Sequence, residues 1–582
     1  MPAILIYLII GLPWLGALLV WIVGDDRPRL QNTLAVTFSV AAGVSALALL
    51  PQTSSQVVIR VPAGGIFGDF TFLADGLGAF LAAVATVIGS LAVIFSIDYM
   101  KGEAQLGRYY AFILFFIGAM AGLVLTNSLL LMFIFWEITA VCSYGLIAFH
   151  NDDPKAVAAG IKALIITQVG GIGLLAGALL VYTQFGTYEI STFLEKAGTL
   201  PGAILSVAGY GFLIAAAAKS AQFPFQTWLP DAMEAPTPVS ALIHAATMVN
   251  AGVYLLARFY PAFEGVPGWR IAVIAVGMVT ALMAAVMALV SNDLKRVLAY
   301  STVSQLGYMF YSIGAGGIFA SQFHLLSHSV FKALLFLGAG AVIHAVGTRD
   351  MRQMGGLGSK MPLVRTVFVI GAMALAGLPI LNGFWSKELI LESGLSGGPL
   401  WAWIIMLLCA GLTALYTFRC VWMVFYGEPR KHVHAHDAGP AMRVALIPLA
   451  FGTLTTWLLC GPFAETLHKT LPFHKIEPLS TLAMVEEVVT APTTWIALFI
   501  IALGLAAWWQ RERLAGMRAA LQGVGKAAAN SFGFETFNQG VVQFTRESAE
   551  GLRNTQTGYL SWNVAGIIAG LALVLALLIW GA

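Results

Sequence analysis

Residues 323–345 read FHLLSHSVFKALLFLGAGAVIHA, a stretch apolar enough for a membrane-spanning helix that nevertheless contains several basic side chains. About 20 mainly apolar residues are the length that crosses a bilayer as an α-helix. His324, His328 and Lys332 follow one another at intervals of four residues, so a helix places all three on one face. The stretch predicts a membrane helix with one polar face turned away from lipid.

The rest of the chain repeats this apolar pattern many times. Of its 582 residues, 59% are hydrophobic and only 10% are charged, whereas soluble domains contain about 25% charged residues. We therefore predict an all-α polytopic membrane protein and exclude a water-soluble fold. A net charge of +3 without a long basic run gives no indication of nucleic-acid binding. About 16 transmembrane helices are predicted, centred near residues 13, 42, 87, 117, 139, 171, 212, 248, 281, 305, 333, 375, 412, 450, 501 and 571.

The distribution of Lys and Arg predicts the orientation of these helices. The odd-numbered loops contain most of the positive residues, for example Arg27, Lys101 and Lys295. Because cytoplasmic loops carry the Lys/Arg excess, we expect the odd loops in the cytoplasm and both termini on the opposite side. The first segment, from Ala3 to about Val23, lacks the features of a signal peptide and is expected to remain as a span.

Charges inside the apolar segments are candidates for function, because each costs at least about 2.5–3.5 kcal/mol in a bilayer. Glu137 lies in the fifth segment, and Lys219 in the seventh lies five residues before the helix-breaking Pro224. His244 lies in the eighth segment, which opens with two prolines. Lys387 is followed by Glu388 in the twelfth segment, after a break at Pro379 and Gly383. Together with the three residues of the eleventh segment, this set predicts a proton relay at bilayer depth.

The chemistry of such a relay depends on the distance between Glu137 and Lys219. Burial favours the uncharged form of each group, while their mutual attraction favours the charged forms. A lysine that the glutamate approaches keeps its proton, and a lysine from which it withdraws tends to release it. The alternative is that these charges form satisfied ion pairs that fix the packing of the helices.

Metal and cofactor sites are less favoured by the sequence. His324 and His328 have the spacing of zinc-binding helices, but the HExxH glutamate is missing and Lys332 would repel a cation. Haem ligation is disfavoured for the same reason. The run KHVHAH with His432, His434 and His436 is typical of a solvated loop, with adventitious metal binding as the alternative. No iron–sulfur site is predicted, because none of the four cysteines has CxxC spacing; they are Cys142, Cys409, Cys420 and Cys460.

Several motifs resemble the antiporter-like subunits of respiratory complex I, most of all the L-type subunit of NADH-quinone oxidoreductase. The resemblance runs from roughly residue 70 to residue 426, with a further match near the C-terminal end. The motifs are WEITAVCSYGLI, KSAQFPFQTWLPDAMEAPTPVSALIHAATMVNAGVYL, SNDLKRVLAYSTVSQLGYM, FHLLSHSVFKALLFLGAGAVIHA, MGGLGSKMPL, GFWSKELIL and TQTGYLSWNVAG.

The resemblance implies two inverted five-helix repeats, each with a broken helix. Residues 1–105 would then be N-terminal helices, 106–262 and 263–427 the two antiporter-like halves, and 428–582 the C-terminal helices. The relay implied by the family contains the residues already selected from the apolar segments, with Lys387 on its exit side: Glu137, Lys219, His244, His324, His328, Lys332 and Lys387.

The chain departs from the L-type pattern in two places. Where that subunit has an Arg-Val-Gly-Asp stretch, this chain has Gln168, Val169, Gly170 and Gly171, as in Mrp-type antiporters or membrane hydrogenases. The polar stretch of about residues 510–558 is short for the lateral helix of the L subunit, since its roughly 48 residues reach at most about 72 Å. We expect either an amphipathic cytoplasmic connection broken at its glycines or a solvated loop with short helices.

The leading prediction is a proton-translocating subunit of a complex I-like redox pump in a bacterial cytoplasmic membrane. Such a chain is part of an enzyme but performs no redox chemistry itself, so it needs no cofactor; flavin and iron–sulfur clusters are expected on partner subunits. The expected partners are other membrane subunits, including further antiporter-like ones, and lipids. The alternatives are a Mrp-type cation/proton antiporter subunit, or a coupling subunit of a membrane hydrogenase or an inorganic-carbon uptake complex.

Overall fold

The computed structural model describes residues 2–55, 58–429, 435–555, 564–566 and 568–572, and these residues are almost entirely helical. The described chain divides into a unit of residues 1–525 and a unit that begins at Lys526. One small departure from the all-α prediction is an antiparallel hairpin of β1 (Val58–Pro62) and β2 (Asp69–Leu73), which joins the second and third helices.

The helices follow one another with short connections. They are α1 (Pro2–Val23), α2 (Pro28–Leu49), α3 (Gly76–Tyr99), α4 (Leu106–Leu125), α5 (Leu129–Ile147), α6 (Pro154–Phe185), α7 (Ile190–Lys196), α8 (Gly202–Lys219), α9 (Trp228–Asp231), α10 (Thr237–Ala245), α11 (Met248–Phe263), α12 (Trp269–Val290), α13 (Leu294–Ala315), α14 (Ile318–Val346), α15 (Pro362–Ala376), α16 (Asn382–Gly397), α17 (Leu400–Val421), α18 (Pro440–Thr455), α19 (Cys460–Thr470), α20 (Thr481–Thr490), α21 (Pro492–Trp509), α22 (Ala515–Ala520), α23 (Gln522–Ala529) and α24 (Phe534–Thr555).

Thirteen helices within the described residues are long and apolar enough to cross a membrane. The predicted spans near residues 305, 375 and 571 are not among them. The first forms α13, which is buried along its whole length and can therefore carry polar side chains. The second is divided into the short helices α15 and α16. The third lies largely outside the described residues.

Three segments are interrupted near a predicted functional residue. The seventh ends as α8 at Lys219, and the twelfth is broken between Ala376 and Asn382. In the eighth, Pro236 caps α10 and Pro238 lies in its first turn, so the prolines are at the start of the helix and not at the interruption, because proline is compatible with a helix start. The interruption comes after His244, between α10 and α11, which the sequence analysis did not predict.

The unit that begins at Lys526 contains α24, a 22-residue helix. Its apolar side chains Phe537, Val541, Phe544 and Leu552 recur at helical spacing and are exposed within the unit. The short α22 and α23 precede it as separate helices, whereas Gly540 and Gly551 lie inside α24 and do not interrupt it. At 1.5 Å per residue, α24 is about 33 Å long.

Candidate functional site

Lys219 is the last residue of α8, and its side chain is fully buried. The ammonium donates a hydrogen bond to the main-chain carbonyl of Trp136 on α5, with an Nζ to O distance of 2.6 Å. The same ammonium lies 5.0 Å from the centre of the Trp136 ring, close enough for a cation–π interaction. A neutral carbonyl and an aromatic face thus hold this lysine, and neither supplies a full negative charge.

Glu137 is the next residue on α5 and is only half-buried. Its Oε1 atom is buried and has no hydrogen-bond partner among the described residues. Gly171 on α6 makes room for it, because a Cβ atom at Gly171 would lie 2.5 Å from this oxygen. The structure therefore places Glu137 next to the lysine-bearing region, in a space that depends on a glycine at position 171.

His244 lies in the last turn of α10, with no exposed surface. Its ring is 4.6 Å from the ring of Phe336 on α14, measured between centroids. Neither ring nitrogen has a hydrogen-bond partner in the part of the chain that the structure describes. His244 is thus a buried polar group without a hydrogen-bond partner among the described residues, and in the predicted relay it comes between Lys219 and the basic residues of α14.

The three basic residues of α14 are fully buried and share one face, as predicted. The rings of His324 and His328 are 6.3 Å apart between centroids. Lys332 donates to the carbonyl of Leu298 at 3.1 Å and to the hydroxyl of Ser301. Like Lys219, Lys332 is therefore hydrogen bonded only to uncharged groups.

Lys387 is near the start of α16, one turn after the break in its helix. Its ammonium reaches back across the break and donates to the carbonyl of Leu375 at 2.8 Å. That carbonyl belongs to the last turn of α15, where the helix leaves carbonyl groups without intrahelical partners. Glu388 is also buried, and its Oε2 atom has no hydrogen-bond partner among the described residues.

The sequence analysis missed several buried cations, among them Arg258 and Lys295. Arg258 on α11 binds Asp75 through two guanidinium nitrogens, one of them at 2.9 Å, and lies against Tyr254. Its position within the apolar run VYLLARFY was a signal that could have revealed it. Lys295 was assigned to a loop, but it is buried and donates to the carbonyls of Met233 and Ala235 at 2.8 and 2.6 Å.

The metal and cysteine predictions can be compared with the described residues only. Within them, no three His, Cys, Asp or Glu side chains are grouped as metal ligands. His432 and His434 lie outside the described residues. The four cysteines are free thiols, and all four are buried.

Two family models match the chain. The first, described as NADH:quinone oxidoreductase/Mrp antiporter, TM, covers residues 126–413. The second, described as NADH-Ubiquinone oxidoreductase (complex I), chain 5 N-terminus, covers residues 61–110. NADH-quinone oxidoreductase subunit L of Escherichia coli K12 is 36% identical over 94% of this chain and 93% of its own length. The chain belongs to the NADH:quinone oxidoreductase/Mrp antiporter family.

Other members of the NADH:quinone oxidoreductase/Mrp antiporter family extend this relationship. NAD(P)H-quinone oxidoreductase chain 5 of a Synechocystis strain is 41% identical over 68% of this chain, and the match spans 60% of that relative's length. A solved Mrp complex from a Dietzia strain superposes with a TM-score of 0.86 and 28% identity, covering all of this chain and 63% of the matched chain. Family membership and the thirteen apolar helices establish an integral membrane protein.

Proposed function

We propose that this chain is the proton-translocating membrane subunit of a complex I-like, redox-driven complex. The observation that carries the proposal is the shared environment of Lys219, Lys332 and Lys387. Each is fully or almost fully buried, and each donates to a main-chain carbonyl rather than to a carboxylate. A buried ammonium bound only to uncharged groups can exist with or without its proton, as a relay requires.

The proposed path begins at Glu137 and Lys219 and passes His244 to reach the face of α14. From there it follows Lys332, His328 and His324 to Lys387. The placement of His244 against Phe336, one turn from Lys332, supports this order. The hydrogen bond between Ser386 and His324 supports the last step, because Ser386 precedes Lys387 on α16.

Two isolated β-bridges occupy equivalent positions in the two proposed internal repeats. Ser128 caps α5 and pairs with Glu189, while Asp293 caps α13 and pairs with Asp350. Each bridge joins the residue just before one helix, α5 or α13, to a residue shortly after the next helix, α6 or α14. We propose that the repeats are inverted, with both termini on the non-cytoplasmic side of a bacterial inner membrane.

The partners in this proposal are other membrane subunits, including further antiporter-like subunits. Energy would come from partner subunits that contain flavin and iron–sulfur clusters, since this chain is proposed to lack redox chemistry of its own. E. coli subunit L, a relative along nearly its full length, is by name a subunit of an NADH-quinone oxidoreductase.

The test is proton pumping by the intact complex in liposomes, with electron transfer measured in the same preparation. Lys219→Ala and Lys387→Ala are each expected to reduce proton pumping by at least about tenfold, because each removes a required proton acceptor. Lys196→Ala is the matched control, since Lys196 is an exposed lysine outside the proposed path. Unchanged pumping in both buried-lysine variants would overturn the proposal.

A cation/proton antiporter subunit is the second candidate, favoured by the superposition on the Mrp complex and by the uncharged Gln168 and Gly171. Mass spectrometry of the subunits that co-purify in mild detergent separates the two candidates. Flavin and iron–sulfur subunits support the redox pump, whereas small antiporter subunits alone support the second candidate and exclude the first.

A further inference from the structure

His324 differs from the other relay histidines because both of its ring nitrogens have side-chain partners. Nδ1 lies 2.9 Å from the hydroxyl of Ser386, and Nε2 lies 3.0 Å from Oε1 of Gln305. His244 and His328 have no such partners in the described part of the chain. The side chains of His324, Gln305 and Ser386 are completely buried. They come from three different helices, α14, α13 and α16.

The hydrogen bonds of a neutral His324 can be satisfied in two ways. In the first, Nε2–H donates to Gln305 Oε1 and Nδ1 accepts from the Ser386 hydroxyl. In the second, the Gln305 amide is turned by half a rotation, so that its NH2 group donates to Nε2 while Nδ1–H donates to Ser386. The hydroxyl proton of Ser386 then points to the carbonyl of Asn382, which is 2.9 Å away.

The protonated ring also finds a complete set of acceptors. Its Nε2–H donates to Gln305 Oε1 and its Nδ1–H donates to Ser386 Oγ. The Ser386 hydroxyl itself continues to donate its hydrogen bond to the Asn382 carbonyl. A buried charge that lacks hydrogen-bond partners is strongly disfavoured. Ser386 and Gln305 therefore allow His324 to be charged or neutral without leaving a ring nitrogen unpaired.

We propose that Ser386 and Gln305 are positioning residues that direct proton transfer through His324, an inference that rests on the proposed function. His328 gives up one proton and His324 gains it, so that the protonated ring donates to both Gln305 Oε1 and Ser386 Oγ. His324 then gives up one proton and the neutral amine of Lys387 gains it, which returns the ring to a neutral form. Gln305 and Ser386 hold the ring in place through both steps, and neither gains nor loses a proton overall.

The test uses the whole complex in liposomes. Ser386→Ala and Gln305→Leu are each expected to lower proton pumping by about tenfold, the effect of losing one buried hydrogen bond. Ser386→Thr keeps the hydroxyl and is expected to restore pumping. The control is Ser393→Ala, on the same helix, because that hydroxyl binds Ser312 and the carbonyl of Ile390 instead. A Thr variant as defective as the Ala variant would show that the position is only structural.

A spectroscopic measurement tests the tautomers directly. Solid-state ¹⁵N NMR of histidine-labelled complex, compared with a His324→Gln variant, assigns the ring nitrogens of His324. Gln305→Leu is expected to shift the balance between the two tautomers, and an unchanged ratio would contradict the proposal. If Lys219→Ala and Lys387→Ala abolish pumping while the Ser386 and Gln305 variants pump normally, only the present inference fails. If the lysine variants also pump normally, the proposed function itself fails.

Discussion

Lys219 is the final residue of the first segment at its helix break, whereas Lys387 belongs to the second segment at the other break. Each ammonium donates to a carbonyl, but Lys219 reaches another helix and Lys387 reaches the other part of its own broken helix. Their acidic neighbours differ in the same way. Glu137 lies on α5 beside Trp136, while Glu388 is joined to Lys387 by a peptide bond.

This difference separates an adjustable site from a fixed one. A movement of α5 relative to α8 changes the distance between Glu137 and Lys219, and with it the preference of the lysine for its proton. No movement of helices can separate Glu388 from Lys387 to the same extent. The proposed function together with this difference predicts that partner subunits act on Lys219, whereas Lys387 receives protons from His324.

The two glutamates provide the strongest test of this comparison. Glu137→Gln is expected to reduce proton pumping by about tenfold or more, because the adjustable negative charge is lost. Glu388→Gln is the matched variant and is expected to change pumping by less than about twofold. Pumping rates of the two variants in liposomes, normalised to electron transfer, decide the question; equal losses would remove the distinction.

A change at Gly171 perturbs the adjustable site without altering any charge. In Gly171→Ala the new Cβ would lie 2.5 Å from Glu137 Oε1, so the carboxylate must move. Pumping is expected to fall by about threefold to tenfold, with subunit content of the purified complex unchanged. Gly198→Ala is the control, because a Cβ at Gly198 meets no atom within 4 Å. Normal pumping by Gly171→Ala would show that the position of Glu137 is not critical.

The backbone at the two breaks is strained to different degrees. Ala221 has a φ of 51°, and Ile380 has a φ of 77° although it is β-branched and 71% exposed. A left-handed conformation costs a non-glycine residue about 1–2 kcal/mol. Ile380→Gly is therefore expected to raise the thermal midpoint of the complex by about 1–3 °C, whereas Ile380→Val should give no increase. A lower midpoint in the glycine variant would show that the Ile380 side chain stabilises the second break.

The Arg258–Asp75 pair contrasts with the relay lysines, because here a buried cation is bound directly by a carboxylate. His474 lies next to this pair, outside the membrane spans. His474 donates to the carbonyl of Ala257 at 2.8 Å. Burial, with a contribution from Arg258, lowers the pKa of His474 to about 4, while the bond to Ala257 and the charge of Asp75 oppose that shift. The ring is thus held in its neutral form.

Acidification should loosen the segment that carries His474. The stabilisation is complete above the unfolded pKa of about 6.5 and is lost as the pH falls towards 4. Opening of residues 471–480, measured by hydrogen exchange corrected for intrinsic rates, is expected to increase about tenfold between pH 7 and pH 5. His474→Gln should remove this dependence; a variant that still opens with acid would assign the effect to another group.

The candidate relay residues could be selected from the sequence because charges in apolar segments are rare and easily recognised. The sequence did not predict the groups that hold them: Gln305 and Ser386 are ordinary polar residues until the fold brings α13, α14 and α16 together. Lys295 appeared to be a loop residue because burial at a helix end depends on the connection that covers it. The spans predicted near residues 305 and 375 do not meet the length and hydropathy expected of a membrane helix, because α13 is polar and the break between α15 and α16 shortens both helices.

The pairing of Arg258 with Asp75 also has a consequence for how the protein is made. The two residues are 183 positions apart, so α3 is synthesised well before α11. Until α11 has been synthesised, Asp75 has no Arg258 to pair with, and the intervening helices must insert while this carboxylate is still unpaired. Closure of this pair is thus a late event in biogenesis, and a nascent chain that ends before α11 leaves α3 without its final anchor.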